Sequence, residues 1–262
     1  MNAHGDFIWY ELLTRDADAA ADFYGPVVGW ASSPSGQPGM DYRFFHSGDV
    51  MTMENGVGGY MAITPDMAAH GARPCWLGYV AVDDVDASCA AAIAAGGTIQ
   101  MPPMDLEGVG RMAMVADPAG APFYVMRGAS DETSHSFAKY EPRQGHGAWN
   151  ELATSDPRGA WDFYGKLFGW AKDGALDMGP LGEYEFLKSD VVIGAIMPKM
   201  PDMPVSAWTT YFRVANIDAA AATIAARGGT LLQGPMEIPG GEYSLTALDP
   251  QGAVFGLVGP RP

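Results

Sequence analysis

Trp9-Tyr10-Glu11 and Trp149-Asn150-Glu151 stand 140 residues apart, and each opens a segment that runs on through Asp-Phe-Tyr to Gly-Trp. Asp22-Phe23-Tyr24 and Gly29-Trp30 answer Asp162-Phe163-Tyr164 and Gly169-Trp170 at that same offset. Further on, Trp76, Tyr79, Asp86, Gly96-Gly97-Thr98 and Asp117-Pro118 answer Trp208, Tyr211, Asp218, Gly228-Gly229-Thr230 and Asp249-Pro250 at an offset of 132. Such a repeat constrains the fold more than any single motif, because one architecture must be built twice. The residues lost from the middle of the second copy belong to a loop or hairpin tip, where length varies while the frame is kept.

The 262 residues divide at the repeat into two units of domain size, each long enough to bury its own core. The expected boundaries are 1–128 for the first domain, 129–144 for a linker and 145–262 for the second. Arg127 to His135 is polar, poor in branched apolar residues and without helical period, as a linker requires. A net charge of -16 argues against nucleic acid and anionic membranes, both of which reward clustered Lys and Arg. The expected partner is a small molecule or another protein. No apolar run is long enough to span a bilayer, and the N-terminus lacks a signal-peptide pattern, so a cytoplasmic protein is expected. Cys75 and Cys89 are too few and wrongly spaced for a disulfide framework or a Cys-only metal site, and read as small apolar residues.

Short strands and helices alternate in each half. Phe7 to Leu13 reads as a strand, and Asp16 caps a helix to about Val28 that Pro26 disturbs in its last turn. Asp156-Pro157 repeats that start with proline at the first helical position. Tyr42 to His46 and Val50 to Ile63 read as strands joined at Ser47-Gly48-Asp49. Cys75 to Val82 is a strand and Asp86 to Ala95 a helix closed by Gly96-Gly97. Thr98 to Gln100, Arg111 to Ala116 and Pro122 to Met126 are further strands. The expected fold class is α+β, with four βαβββ units, two per domain.

These residues resemble the vicinal oxygen chelate superfamily of glyoxalase I, bleomycin-resistance proteins and extradiol dioxygenases, and the resemblance covers nearly the whole chain. It rests on the first strand followed by Asp-Phe-Tyr and Gly-Trp, on Val82-Asp83-Asp84-Val85 before a Gly-Gly-ended helix, and on Gly110-Arg111 leading to Asp117-Pro118-Ala119-Gly120-Ala121. It is most similar to two-domain bacterial members labelled hydroxylase or glyoxalase-like. The resemblance implies tandem glyoxalase-like domains whose sheets curve into cups around a ligand, and a homodimer is expected by the same analogy.

It also implies where a divalent metal would be held. The first-strand ligand falls on Trp9 and Trp149, the third-quarter ligand on Leu77 and Thr209, and the last-strand carboxylate on Tyr124 and Gly256. The fourth position lies near Tyr60 and Ala195. Divalent ions need carboxylate, imidazole or thiolate donors, so the expectation is no metal and no other cofactor.

Glu11 and Glu151 share a strand face with Trp9 and Trp149 and are the candidate catalytic groups. A carboxylate beside tryptophan in a low-dielectric pocket is expected to have a raised pKa, suited to general acid or base chemistry; the alternative is a carboxylate paired with Arg or capping backbone amides. Arg111 is one such partner in the first domain, where the second has Tyr243, and Arg213 is a substitute in the second. Trp9, Tyr79, Arg111, Tyr124, Trp149, Tyr211 and Arg213 are the candidate ligand-binding residues. The aromatic rings form either a wall for a flat apolar ligand or a filled core. None of His4, His46, His70, His135 and His146 recurs at the repeat offset, and each reads as structural or solvent-facing.

Two function classes follow. One is a metal-independent lyase, isomerase or hydrolase that moves a proton with Glu11 or Glu151. The other is a non-catalytic protein that encloses an apolar small molecule or drug. A metal-dependent glyoxalase or dioxygenase is the third reading and needs the donors that the implied positions do not supply.

Overall fold

A computed structural model of the chain describes residues 2–37 and 39–262. The first repeat runs β1 (Phe7–Thr14), α1 (Ala17–Tyr24), β2 (Ala31–Pro34), β3 (Tyr42–His46), β4 (Gly56–Ala62), α2 (Pro65–Ala69), β5 (Cys75–Ala81), α3 (Val85–Ala94), β6 (Thr98–Leu106), β7 (Gly110–Ala116) and β8 (Pro122–Gly128). The second runs β9 (Gly147–Thr154), α4 (Pro157–Phe168), β10 (Ala171–Asp177), β11 (Glu183–Lys188), β12 (Val192–Pro198), β13 (Ala207–Arg213), α5 (Ile217–Ala226), β14 (Thr230–Glu237), β15 (Tyr243–Leu248) and β16 (Val254–Gly259). Each quarter is thus a strand, a helix and three more strands. Two curved eight-stranded mixed sheets result, in the orders β2-β3-β4-β1-β5-β8-β7-β6 and β10-β11-β12-β9-β13-β16-β15-β14.

The four long helices begin alike because the same chemistry is placed before each. Asp16, Asp84, Asp156 and Asn216 accept the amide of the residue three further on, at 2.9–3.0 Å. Each such cap is worth about 1 kcal/mol. After α1 the chain takes a π-helical turn at Gly25–Gly29, where Pro26 has no N–H to donate, which is the expected disturbance. In α4 the helix instead ends at Gly169, whose φ of 72° needs a glycine.

Some elements differ from the sequence reading. The strand expected from Val50 begins only at Gly56, since the Asn55 side chain holds the preceding turn through Val50 O and Thr52 N. In the second quarter the strands run longer than expected, β6 reaching Leu106 through Pro102 and Pro103 and β8 reaching Gly128.

Compactness does not follow the repeat. One unit gathers Met1–Ile8, Leu77–Ser134 and Trp149–Thr209, and the other Trp9–Trp76, His135–Ala148 and Thr210–Pro262. The first therefore unites the second and third quarters. Its helices α3 and α4 pack on each other, with α3 also on β7 and β8 and α4 on β12. Phe123 of β8 meets Phe163 and Phe168 of α4 in this core. The other unit unites the first and fourth quarters in the same manner, Phe23 of α1 meeting Phe255 of β16 edge to face.

In both units the Asp-Phe-Tyr tyrosine carries a buried polar contact. Tyr164 Oη donates to Asp117 at 3.2 Å and accepts from Trp208 Nε1 at 2.9 Å. Tyr24 Oη donates to Asp249 at 3.1 Å and accepts from Trp76 Nε1 at 2.9 Å. The Asp-Phe-Tyr tyrosines and the Asp-Pro aspartates, both repeated in the sequence, thus hold quarters together.

Candidate functional site

Strand alternation separates each quarter into a side packed on helices and a side turned away from them. In the first quarter Glu11 lies opposite Gly59 and Gly59 opposite Phe44, so these share the second side with Trp9 and Tyr42. Trp9 Nε1 donates to Tyr42 Oη at 3.0 Å, and the Phe44 ring stands edge-to-face to both aromatic neighbours. Gly59 leaves room for this arrangement, because a Cβ there would run into the Tyr42 ring. Glu11 is 5% exposed. Its charge, after burial, helps push the thiol of Cys75 up to about 12.

The third quarter repeats this pattern. Trp149 Nε1 donates to Tyr184 Oη at 2.8 Å, and Tyr184 Oη donates to Glu151 Oε2 at 2.7 Å. Phe186 stands edge-to-face to Trp149 and Tyr184. Here Trp149, Glu151, Tyr184 and Phe186 are all half-buried. Tyr42 and Tyr184 were not among the residues picked from the sequence. The signal was present as Tyr42-Arg43-Phe44 and Tyr184-Glu185-Phe186, a Tyr-x-Phe recurring at nearly the repeat offset.

In the second quarter Tyr79 pairs in register with Tyr124, and the two rings stack at 4.1 Å with both side chains buried. In the fourth, Tyr211 lies across Gly256, where a Cβ would meet its ring, and its hydroxyl is 3.2 Å from Thr246 Oγ1. Tyr124 thus stands at one position of the implied carboxylate, and the Tyr211 ring fills the space beside Gly256 at the other.

Arg111 is placed differently from the sequence reading. Its guanidinium is bonded to Asp86 of α3 at 2.7 and 2.9 Å and to Asp105 at 3.0 Å, on the helix-packed side of β7 rather than the side carrying Met112 and Met114. Arg213 makes a two-pronged pair with Glu242, and its Nε is buried without a hydrogen-bond partner. Tyr243, at the place of Arg111, stacks under the Arg261 guanidinium at 4.0 Å. Two of the histidines are buried and structural: His46 bonds Gly48 O at 2.9 Å, while His146 bonds His135 O and Ser47. Burial holds His146 below the ordinary imidazole value.

The positions implied for a metal do not fit one. Trp9, Leu77, Tyr124, Trp149, Thr209, Ala195 and Gly256 offer no carboxylate, imidazole or thiolate. Tyr60, expected near the fourth position, points to the helix side, where it stacks on Phe45 at 4.1 Å; the residue opposite Glu11 is Gly59, as Ala195 is opposite Glu151. Among the described residues no three His, Cys, Asp or Glu side chains are grouped so as to hold an ion.

The family model for the glyoxalase/bleomycin resistance protein/dioxygenase superfamily matches residues 7–125 and 143–257. "Putative glyoxylase CFP32" of Mycobacterium tuberculosis is 35% identical over 257 residues, covering 97% of this chain and 94% of that protein. The anthracycline biosynthesis protein DnrV of Streptomyces peucetius is 32% identical over 270 residues, covering 98% and 94%. Among solved structures, the Mn(II)-bound glyoxalase of Novosphingobium aromaticivorans superposes with a TM-score of 0.63 at 18% identity, covering 100% of this chain and 84% of the other. A trihydroxybiphenyl dioxygenase of Sphingomonas wittichii reaches 0.67 at 13% identity, covering 98% and 91%. At such identities the two structures speak to fold alone.

Proposed function

The chain belongs to the glyoxalase/bleomycin resistance protein/dioxygenase superfamily, and from that premise we propose that it binds a small, flat organic molecule on the faces carrying Trp9 and Trp149, with Glu11 or Glu151 as acid or base. The observation that carries this reading is the hydrogen-bond chain Trp149–Tyr184–Glu151. Every donor in it is oriented toward the carboxylate, so Glu151 is the group able to take a proton, and the rings around it offer apolar area to an aromatic ligand. A flat aromatic compound also accords with the relatives named for anthracycline biosynthesis. No step is drawn through a metal, since the residues at the implied positions cannot hold one.

A non-catalytic binding protein is the second reading, favoured at the first face by the 5% exposure of Glu11. One experiment addresses both. The protein is titrated with 1,4-dihydroxyanthraquinone while tryptophan fluorescence is followed, and the recovered compound is compared with the input by mass spectrometry and NMR. Saturable quenching that weakens in Trp149→Phe supports the site, and a changed compound with wild type but not Glu151→Gln supports acid–base chemistry. Quenching that is the same in Trp149→Phe and Trp9→Phe as in wild type would sink the reading.

A further inference from the structure

We propose that His146 is a pH-sensitive latch: as a neutral imidazole it fastens the segment His135–Ala148 to the tip of the hairpin joining β3 and β4, and in mild acid it releases it. Such a latch would act whatever the aromatic faces bind. It bears on the first face through β3 and β4, which carry Tyr42, Phe44 and Gly59.

Segment and hairpin belong to one compact unit, and the imidazole ties them together. His146 is 3% exposed. Its Nδ1 stands 2.6 Å from His135 O, and a carbonyl only accepts, so Nδ1 carries the proton and donates. Nε2 then has only a lone pair to offer, which takes the hydroxyl proton of Ser47 at 3.1 Å. One ring therefore closes the segment on itself and joins it to the hairpin. Gly145 permits the approach: at a φ of 79° it brings the main chain so near that a Cβ would lie 3.1 Å from that of Ser47. Beside the ring, Gly145 N donates to Arg213 O at 2.8 Å and Arg213 N to His146 O at 2.9 Å, while Ser136 Oγ donates to Gly56 O at 3.1 Å. These bonds hold the main chain around the imidazole in the closed form.

A second proton is poorly accommodated there. It would have to go on Nε2, turning the acceptor of the Ser47 proton into a donor and placing a full charge in a buried site. The charges facing the ring add to the cost: Arg143 and His135 from its own segment oppose protonation, and Glu54 of the hairpin, 3.6 Å from Arg143, favours it less strongly. On the side of β13 the Arg213 guanidinium is taken up by Glu242. Burial is the largest of these influences, and the folded imidazole is held below its ordinary value. Once the hairpin tip parts from the segment, the ring meets water and titrates like any other histidine. The open form thus takes up a proton that the closed form resists, and acid favours opening. Closure is at full strength above the ordinary value of about 6.5, weakens as pH falls below it, and levels off where the closed form too is protonated.

The test is hydrogen exchange of the full chain by NMR, expressed as protection factors at about pH 7.5 and about pH 5.5. The amides of Ser47, Gly56, Ala138 and Gly147, which bond within the hairpin or the segment, should lose protection together in acid. The loss should reach up to about tenfold, the limit that one proton sets over one pH unit below about 6.5. Leu245 and Leu257, paired in β15 and β16, should keep their protection. In His146→Gln the four amides should be equally protected at both pH values. Arg143→Gln and Glu54→Gln keep the imidazole and so decide the matter if His146→Gln does not fold: followed by NMR titration, the His146 value should rise in the first and fall in the second. Protection of the four amides that stays constant in wild type, or falls as much in His146→Gln, overturns the proposal. So does a loss shared by Leu245 and Leu257, or a His146 that titrates in wild type at or above an ordinary histidine.

Discussion

Tyr164 donates its hydroxyl proton to Asp117 at 3.2 Å, so the Asp-Phe-Tyr helix of the second repeat is fastened to the Asp-Pro turn of the first. Asp117 also accepts the amides of Ala119 and Ala121 at 2.9 Å, which shapes that turn. Tyr164→Phe would leave one carboxylate oxygen buried without this donor, and we expect a loss of about 1–2 kcal/mol, measured by urea unfolding. The loss should appear without any change in ligand binding.

The same contact has a pH signature. Burial, the largest influence, raises the Asp117 carboxyl above the ordinary carboxylate value, and its hydrogen bonds offset this only in part. The folded protein then keeps a proton that the unfolded chain has already released. Its contribution to stability is present below the unfolded value and is lost as pH rises through the folded one. The stability of wild type relative to Asp117→Asn should therefore fall with increasing pH from the ordinary carboxylate range upward. Denaturant midpoints at a series of pH values check this, and a difference that grows with pH would contradict it.

Cys75 should be inert. Its thiol is pushed up to about 12 by burial and by the Glu11 charge. At pH 8 the thiolate fraction is about 10³ times smaller than for an ordinary thiol, and labelling by iodoacetamide should slow by about that factor until the protein unfolds. Faster labelling in Glu11→Gln would report the Glu11 charge directly.

Gly59→Ala offers a way to disturb the first face alone. The new methyl would strike the Tyr42 ring, whose half-buried end can swing away. We expect a cost of about 1–3 kcal/mol, with Trp9 fluorescence altered by loss of its contact with Tyr42. Binding at Trp149 should be untouched if the two faces act separately.

Arg213 and Glu242 should respond unequally to mutation. Arg213 is the more buried partner, and removal of Glu242 leaves its guanidinium without that counter-charge. Glu242→Ala should therefore cost more than Arg213→Met, by about 1–2 kcal/mol after allowance for the exposure of Glu242. Reversed order in thermal unfolding would show that the pair stabilises little.

The structural distinction between faces was only partly legible in the chain. Trp9 with Glu11 and Trp149 with Glu151 are two residues apart on one strand, so alternation alone put each pair on one side. Tyr42 and Tyr184 stand 33 and 35 residues from the tryptophans they bond, and only the order of strands in the sheets brings them there. Arg111 shows the opposite failure. Its strand was read correctly, yet the residue faces α3, because strand position without pairing register does not tell which side is covered.

By itself the sequence determined that one βαβββ architecture is repeated, where its helices begin, and that the positions implied for a metal lack donors. These are local properties: capping side chains, alternation and residue chemistry act within a few positions of themselves. The tertiary structure alone decided which quarters share a core. Tyr164 finds Asp117 across 47 residues and Tyr24 finds Asp249 across 225, contacts that arise because the helix-covered side of each quarter must be buried against another. No local pattern encodes the choice of partner, since all four quarters carry a similar apolar side; it is made by the complementary fit of side chains brought together on folding.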